Sequence, residues 1–94
     1  MTNGVSQTMI EVHVPKLYPT LSEKDWFTIE KWHIAEGDIV QPSQLIVSIE
    51  CAPGFYNIPA PPAVTQPHRV TRIHVQAGEP THLGELILTL EPTH

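Results

Sequence analysis

Cationic residues are scarce in this chain. Its 94 residues include five Lys or Arg against ten Asp or Glu, for a net charge of −5. The lysines are Lys16, Lys24 and Lys31 and the arginines Arg69 and Arg72, so no basic run exists. Nucleic-acid binding that tracks phosphates has little support on that count. Long apolar runs are also missing: nothing approaches the roughly 20 residues of a membrane span, so no membrane partner is expected. Met1-Thr2-Asn3-Gly4 lacks a basic region followed by an apolar segment, which leaves a signal peptide unexpected. Cys51 is the sole cysteine, so no internal disulfide can form. Together these absences point to a cytoplasmic protein.

Proline, in contrast, is abundant. Ten prolines in 94 residues is about twice the usual share. They are spread along the chain and break helix interiors, so a helical bundle is nearly excluded. A chain of this length forms one small domain. Residues 1–8 are polar and expected to be flexible, leaving 9–92 as the domain.

The remaining periodicity is that of strands. Ile10-Glu11-Val12-His13-Val14 alternates apolar and polar residues and stops at Pro15, the period of a half-buried strand. Residues 16–25 read as a loop. Ser22 with Asp25 fits a helix-capping pattern, and Trp26, Ile29 and Trp32 can continue a helix from it. A strand is preferred there, because Ile29, Trp32 and Ile34 run straight into a glycine turn at Gly37. Leu45, Val47 and Ile49 are expected on one strand face, with Ser48 and Glu50 on the other. Leu86, Leu88 and Leu90 repeat the arrangement opposite Thr89 and Glu91, and Ile73 and Val75 flank His74. Short strands between Gly and Pro turns predict an all-β barrel or sandwich.

An internal repeat sharpens this expectation. Residues 29–50 align without gaps on residues 70–91, an offset of 41. Five pairs are identical: His33/His74, Gly37/Gly78, Leu45/Leu86, Ile46/Ile87 and Glu50/Glu91. Seven more are conservative, among them Ile29/Val70, Asp38/Glu79 and Ser48/Thr89. Random pairing at ordinary residue frequencies gives about one identity. Two copies are too few for a solenoid and suit a closed domain of two similar halves. Each half reads as strand, Gly turn, strand, with positive φ expected at Gly37 and Gly78. The paired histidines are expected to face solvent. No Cys/His spacing supports a metal site, and none is expected.

Four segments, in order, resemble the biotinyl/lipoyl-attachment domain family, most closely the lipoyl domains of 2-oxo acid dehydrogenase acyltransferases. Val14-Pro15-Lys16-Leu17 resembles the family's opening Met-Pro-x-Leu. Residues 29–40, IEKWHIAEGDIV, resemble its Ile-x-x-Trp-x-Val-x-Glu-Gly-Asp-x-Val. Residues 45–50 resemble the strand entering the attachment hairpin, and Ile58-Pro59-Ala60-Pro61 the strand leaving it. The resemblance spans about residues 10–91. It implies a flattened β-barrel of two four-stranded antiparallel sheets related by a pseudo-twofold axis, in agreement with the repeat.

The attachment chemistry departs from the family. Its hairpin tip carries Glu-Thr-Asp-Lys-Ala, whose lysine takes lipoate through an amide. Here the tip is Cys51-Ala52-Pro53-Gly54 after Glu50, and Pro53 occupies the lysine position. No lysine follows Lys31, and the biotinyl Ala-Met-Lys-Met is absent. Neither lipoate nor biotin attachment is expected. Pro53-Gly54 still suits a type II turn. Phe55 and Tyr56 follow it as interaction candidates, one of them expected to pack inward. The link 61–67 is longer than the family's usual link, and Pro42 stands where the family favours glycine. The resemblance implies a non-catalytic binding or assembly module related to 2-oxo acid dehydrogenase complexes, with their components or a lipoate/biotin ligase as partners. The alternative is an acyl carrier using Cys51. No nucleophile–base spacing, phosphate loop or paired carboxylates stand in a frame that marks an enzyme.

Overall fold

A computed structural model describes residues 9–22, 24–51 and 54–93; the segment 1–8 and the residues Ala52 and Pro53, named above, lie outside them. The described residues form eight strands: β1 (Ile10–His13), β2 (Trp26–Trp32), β3 (Ile39–Val40), β4 (Leu45–Cys51), β5 (Gly54–Pro59), β6 (His68–Ile73), β7 (Pro80–His82) and β8 (Leu86–Pro92). Among the described residues no helix is long and apolar enough to cross a membrane. The window from Trp26 is a strand, as preferred. Ser22 and Asp25 cap a tight turn instead of a helix: the Ser22 amide donates to Asp25 Oδ2 at 3.0 Å, and the Asp25 amide to Ser22 O at 3.1 Å.

The strands form two four-stranded antiparallel sheets, ordered β1-β8-β6-β3 and β5-β4-β2-β7. Each sheet takes three strands from one side of the pseudo-twofold axis and its fourth, short strand from the other. Thus β3, from the first repeat, pairs with β6, and β7, from the second, pairs with β2. Neither half completes a sheet alone. β3 and β7 have only two and three residues, and edges this short offer little template for further pairing.

The repeat is legible atom by atom. The turn at Ala35-Glu36-Gly37-Asp38 closes by Asp38 N–H donating to Ala35 O at 3.0 Å, and that at Gln76-Ala77-Gly78-Glu79 by Glu79 N–H to Gln76 O at 3.0 Å. Gly37 and Gly78 hold φ of 95° and 88°, the position where a type II turn requires glycine. The acids then fold back: Ala35 N–H donates to Asp38 Oδ2 at 2.9 Å, and Gln76 N–H to Glu79 Oε1 at 2.6 Å. Each glycine amide crosses to the other half, Gly37 N–H to Val70 O and Gly78 N–H to Ile29 O, both at 2.8 Å.

The core lies between the sheets. Ile29, Val40, Ile46, Val47 and Ile49 from the first repeat meet Val70, Ile87, Leu88 and Leu90 from the second, all 0–1% exposed. One expectation fails here. Leu45 is 37% exposed, while adjacent Ile46 and Val47 are both fully buried, so strict alternation is broken. The cause is a register shift between Leu45 and Val47 in the β4–β5 pairing. Such a β-bulge adds one residue on one strand and re-aims its neighbours. Register shifts at Ile29/Lys31 and Val70/Arg72 also occupy equivalent places in the two repeats.

Candidate functional site

The hairpin joining β4 to β5 carries the attachment position expected from the resemblance. The pairing runs from Leu45↔Pro59 up to Glu50↔Phe55 and Cys51↔Gly54. Antiparallel pairing sends successive side chains to opposite faces, and this separates the two aromatic candidates. Phe55 stands outward at 63% exposure. Tyr56 is half-buried and packs on the core, its ring 6.0 Å from that of Tyr18. Of these two candidates Phe55 is the exposed one.

Cys51 is a free, half-buried thiol that also packs on the core. Tyr18, in the loop before β2, sits beside it. Partial burial holds the Tyr18 phenol above its ordinary range, and negative charge at Asp25, then at Cys51 and Tyr56, pushes the same way. Tyr18, Tyr56 and Cys51 thus gather near the tip end of the hairpin. Pro53 and Ala52, at the expected tip, lie outside the described residues.

The paired histidines are not idle solvent-facing residues. His33 is exposed and His74 half-buried, yet each ring reaches a hydroxyl on the neighbouring strand. His33 Nε2 lies 2.8 Å from Ser48 Oγ, and His74 Nε2 lies 2.6 Å from Thr89 Oγ1. Ser48 Oγ also donates to Asn57 Oδ1 at 2.7 Å. With that hydroxyl proton committed to Asn57, His33 Nε2 must be the donor to Ser48. Ser48 is 6% exposed, so the outward-facing side expected for it is closed over by His33 and Asn57. These contacts explain why the repeat carries His and a hydroxyl residue together. Among the described residues, no three His, Cys, Asp or Glu side chains converge as a metal site.

Two clefts lie between equivalent segments of the two halves. One, of about 240 Å³, is almost wholly apolar and is lined by residues including Val12, Pro15, Ile58, Pro59, Pro61 and Pro62. It opens between the ends of β1 and β5. The other, of about 490 Å³, lies between the two glycine turns, beside Trp32, Ile34, Glu36, Ile73 and Gln76. Trp32 Nε1–H donates to Val75 O at 2.8 Å and Ile73 N–H to Glu36 Oε2 at 2.9 Å, so both of its polar walls are internally satisfied.

Sequence reasoning missed Trp26. It is 62% exposed, at the start of β2, where it pairs with His82 across to β7. Their rings meet edge-on, with centroids 4.8 Å apart. The available signal was its position two residues before Thr28, on the strand face opposite buried Phe27 and Ile29. No protein-family model matches the chain, and no curated protein matches it.

Proposed function

We propose that this chain is a lipoyl/biotinyl-attachment-like domain that is not modified and serves as a non-catalytic binding or assembly module. The observation that carries the reading is the pairing of scaffold and substitution. Two four-stranded sheets exchange their short edge strands, and the internal repeat relates them down to individual turn hydrogen bonds. By the resemblance in sequence, the β4–β5 hairpin corresponds to the one on which that family carries its lysine, with Pro53 at that position. An amide-linked arm needs a primary amine, which a proline within the chain does not have.

The partners that follow are protein surfaces: components of 2-oxo acid dehydrogenase complexes, or the lipoate and biotin ligases that read this scaffold. A cytoplasmic setting goes with them. The acyl-carrier alternative through Cys51 is disfavoured by the thiol's packing against the core, since a carrier group must swing free.

Intact-mass measurement after co-expression with a lipoate ligase and with a biotin ligase tests the reading. Wild type is expected to keep its unmodified mass and Pro53→Lys to gain one lipoyl or biotinyl group. An adduct on wild type overturns the claim that the chain is unmodified. A folded Pro53→Lys protein that neither ligase accepts overturns the scaffold assignment.

A further inference from the structure

We infer that the outer face of the sheet beside the β4–β5 hairpin is a docking site for a guanidinium side chain, presented by a basic segment of a partner protein. The inference draws on the module reading only in taking this end of the barrel as the working face.

Three side chains compose the site. Glu50 on β4 pairs with Phe55 on β5 on one side and with Thr28 on β2 on the other. Directly opposed residues of an antiparallel pair hold their Cβ atoms about 5 Å apart. Trp26 lies two residues from Thr28 along β2, on the same face, which makes it a diagonal neighbour of Glu50. Diagonal neighbours about 7–8 Å apart remain within reach of aromatic and long side chains. Glu50 therefore stands between the positions of Trp26 and Phe55 on one face of the sheet, and both aromatic residues are more than 60% exposed. Small domains scatter single exposed apolar residues, but two large rings flanking one acid on one face is a composed arrangement.

Charge selects the occupant. Glu50 is exposed and makes no ion pair among the described residues. It belongs to a chain of net charge −5, whose field favours a cation. An aromatic face attracts a cation within about 6 Å of its centroid, and a carboxylate accepts two parallel N–H bonds from a guanidinium. Arginine satisfies both at once, because its planar group stacks on a ring while its edge meets the acid. His82 holds the Trp26 ring edge-on at 4.8 Å, so part of the ordering of that ring precedes binding.

The full chain, uniformly ¹⁵N-labelled, is titrated with a capped Gly-Arg-Gly tripeptide and with its neutral citrulline analogue, following backbone and indole resonances. Saturable shifts are expected for the arginine peptide, centred on Trp26, Glu50 and Phe55. The citrulline peptide is expected to bind at least about threefold more weakly, and Glu50→Gln, Trp26→Ala and Phe55→Ala each to weaken arginine binding about two- to fivefold. All three positions are exposed, and the same spectra report whether each variant keeps the fold. Equal binding of both peptides, shifts centred elsewhere, or an unchanged Glu50→Gln titration would each overturn the inference. An adduct on the wild-type chain in the mass experiment would leave this result untouched, so the two readings fail separately.

Discussion

Replacing Ser43 by glycine is expected to stabilise the protein. Among the described residues Ser43 is the only non-glycine residue with positive φ, at 65°. It sits third in the turn Gln41-Pro42-Ser43-Gln44, which closes by Gln44 N–H donating to Gln41 O at 3.1 Å. Proline second and a positive φ third describe a type II turn, whose third position favours glycine. The matching turn 41 residues on, His82-Leu83-Gly84-Glu85, closes by Glu85 N–H to His82 O at 3.1 Å and has glycine there, with φ of 84°. Ser43 is exposed, and its hydroxyl makes no hydrogen bond among the described residues, so the backbone term dominates. A left-handed conformation costs a residue with a Cβ about 1–2 kcal/mol, while the extra freedom of glycine in the unfolded chain returns about 0.5–1 kcal/mol of that. The net gain for Ser43→Gly is about 0.5–1 kcal/mol. At about 4–8 °C per kcal/mol for a domain of this size, Tm rises by about 2–8 °C. Gly84→Ser is expected to lose about the same amount; no clash is involved, since a Cβ at Gly84 meets nothing within 4 Å. The double exchange should fall near wild type, because the two turns share no partner. Urea unfolding and calorimetry of the four proteins measure the cycle. A Ser43→Gly protein less stable than wild type, or single variants that shift in the same direction, would refute the reasoning.

The histidine–hydroxyl pairs should be unequal. Ser48→Ala removes a buried hydroxyl that serves both His33 and Asn57, whereas Thr89→Val removes one that serves His74 alone. Ser48→Ala is expected to cost about 1–3 kcal/mol and Thr89→Val about 0.5–1.5 kcal/mol, read by urea unfolding; the reverse order would reject the double role of Ser48. Tyr18 sets an alkaline limit. Its folded phenol titrates above the ordinary value, through partial burial and then through Asp25, Cys51 and Tyr56, so the folded state holds the proton more tightly than the unfolded one. Its contribution is complete below about pH 10 and is lost as pH rises through the folded value. Tyr18→Phe is expected to reduce the fall in stability above pH 10, and an unchanged alkaline profile would remove Tyr18 from that role.

The fold was largely legible because its signals are local or repeated. The alternation of residues 10–14, the glycines of the two turns and the 41-residue offset all point to two similar β halves, and the two sheets carry that symmetry. The site was legible only in part. That Phe55 and Tyr56 face different ways follows from a period of two, but which faces out depends on how β5 registers against β4. Leu45 was expected to share a face with Val47 and Ile49, because alternation cannot report a bulge. Trp26 could also continue a helix capped at Ser22, although a strand was preferred, and its exposure follows from pairing with β7, some 55 residues further along the chain.

By itself the sequence determined the class of fold, the places of the tight turns and the absence of an amine at the expected attachment position. These depend on period, on backbone freedom and on side-chain chemistry, which each residue carries with it. The tertiary structure decided that β3 and β7 exchange between halves, that Ile46 and Val47 are both buried, and that His33 and His74 are tied to hydroxyls. It also brought Trp26, Glu50 and Phe55 onto one face. Each of those outcomes rests on cross-strand register, in places between segments about 30 to 75 residues apart, and register is set by the closure of the whole barrel.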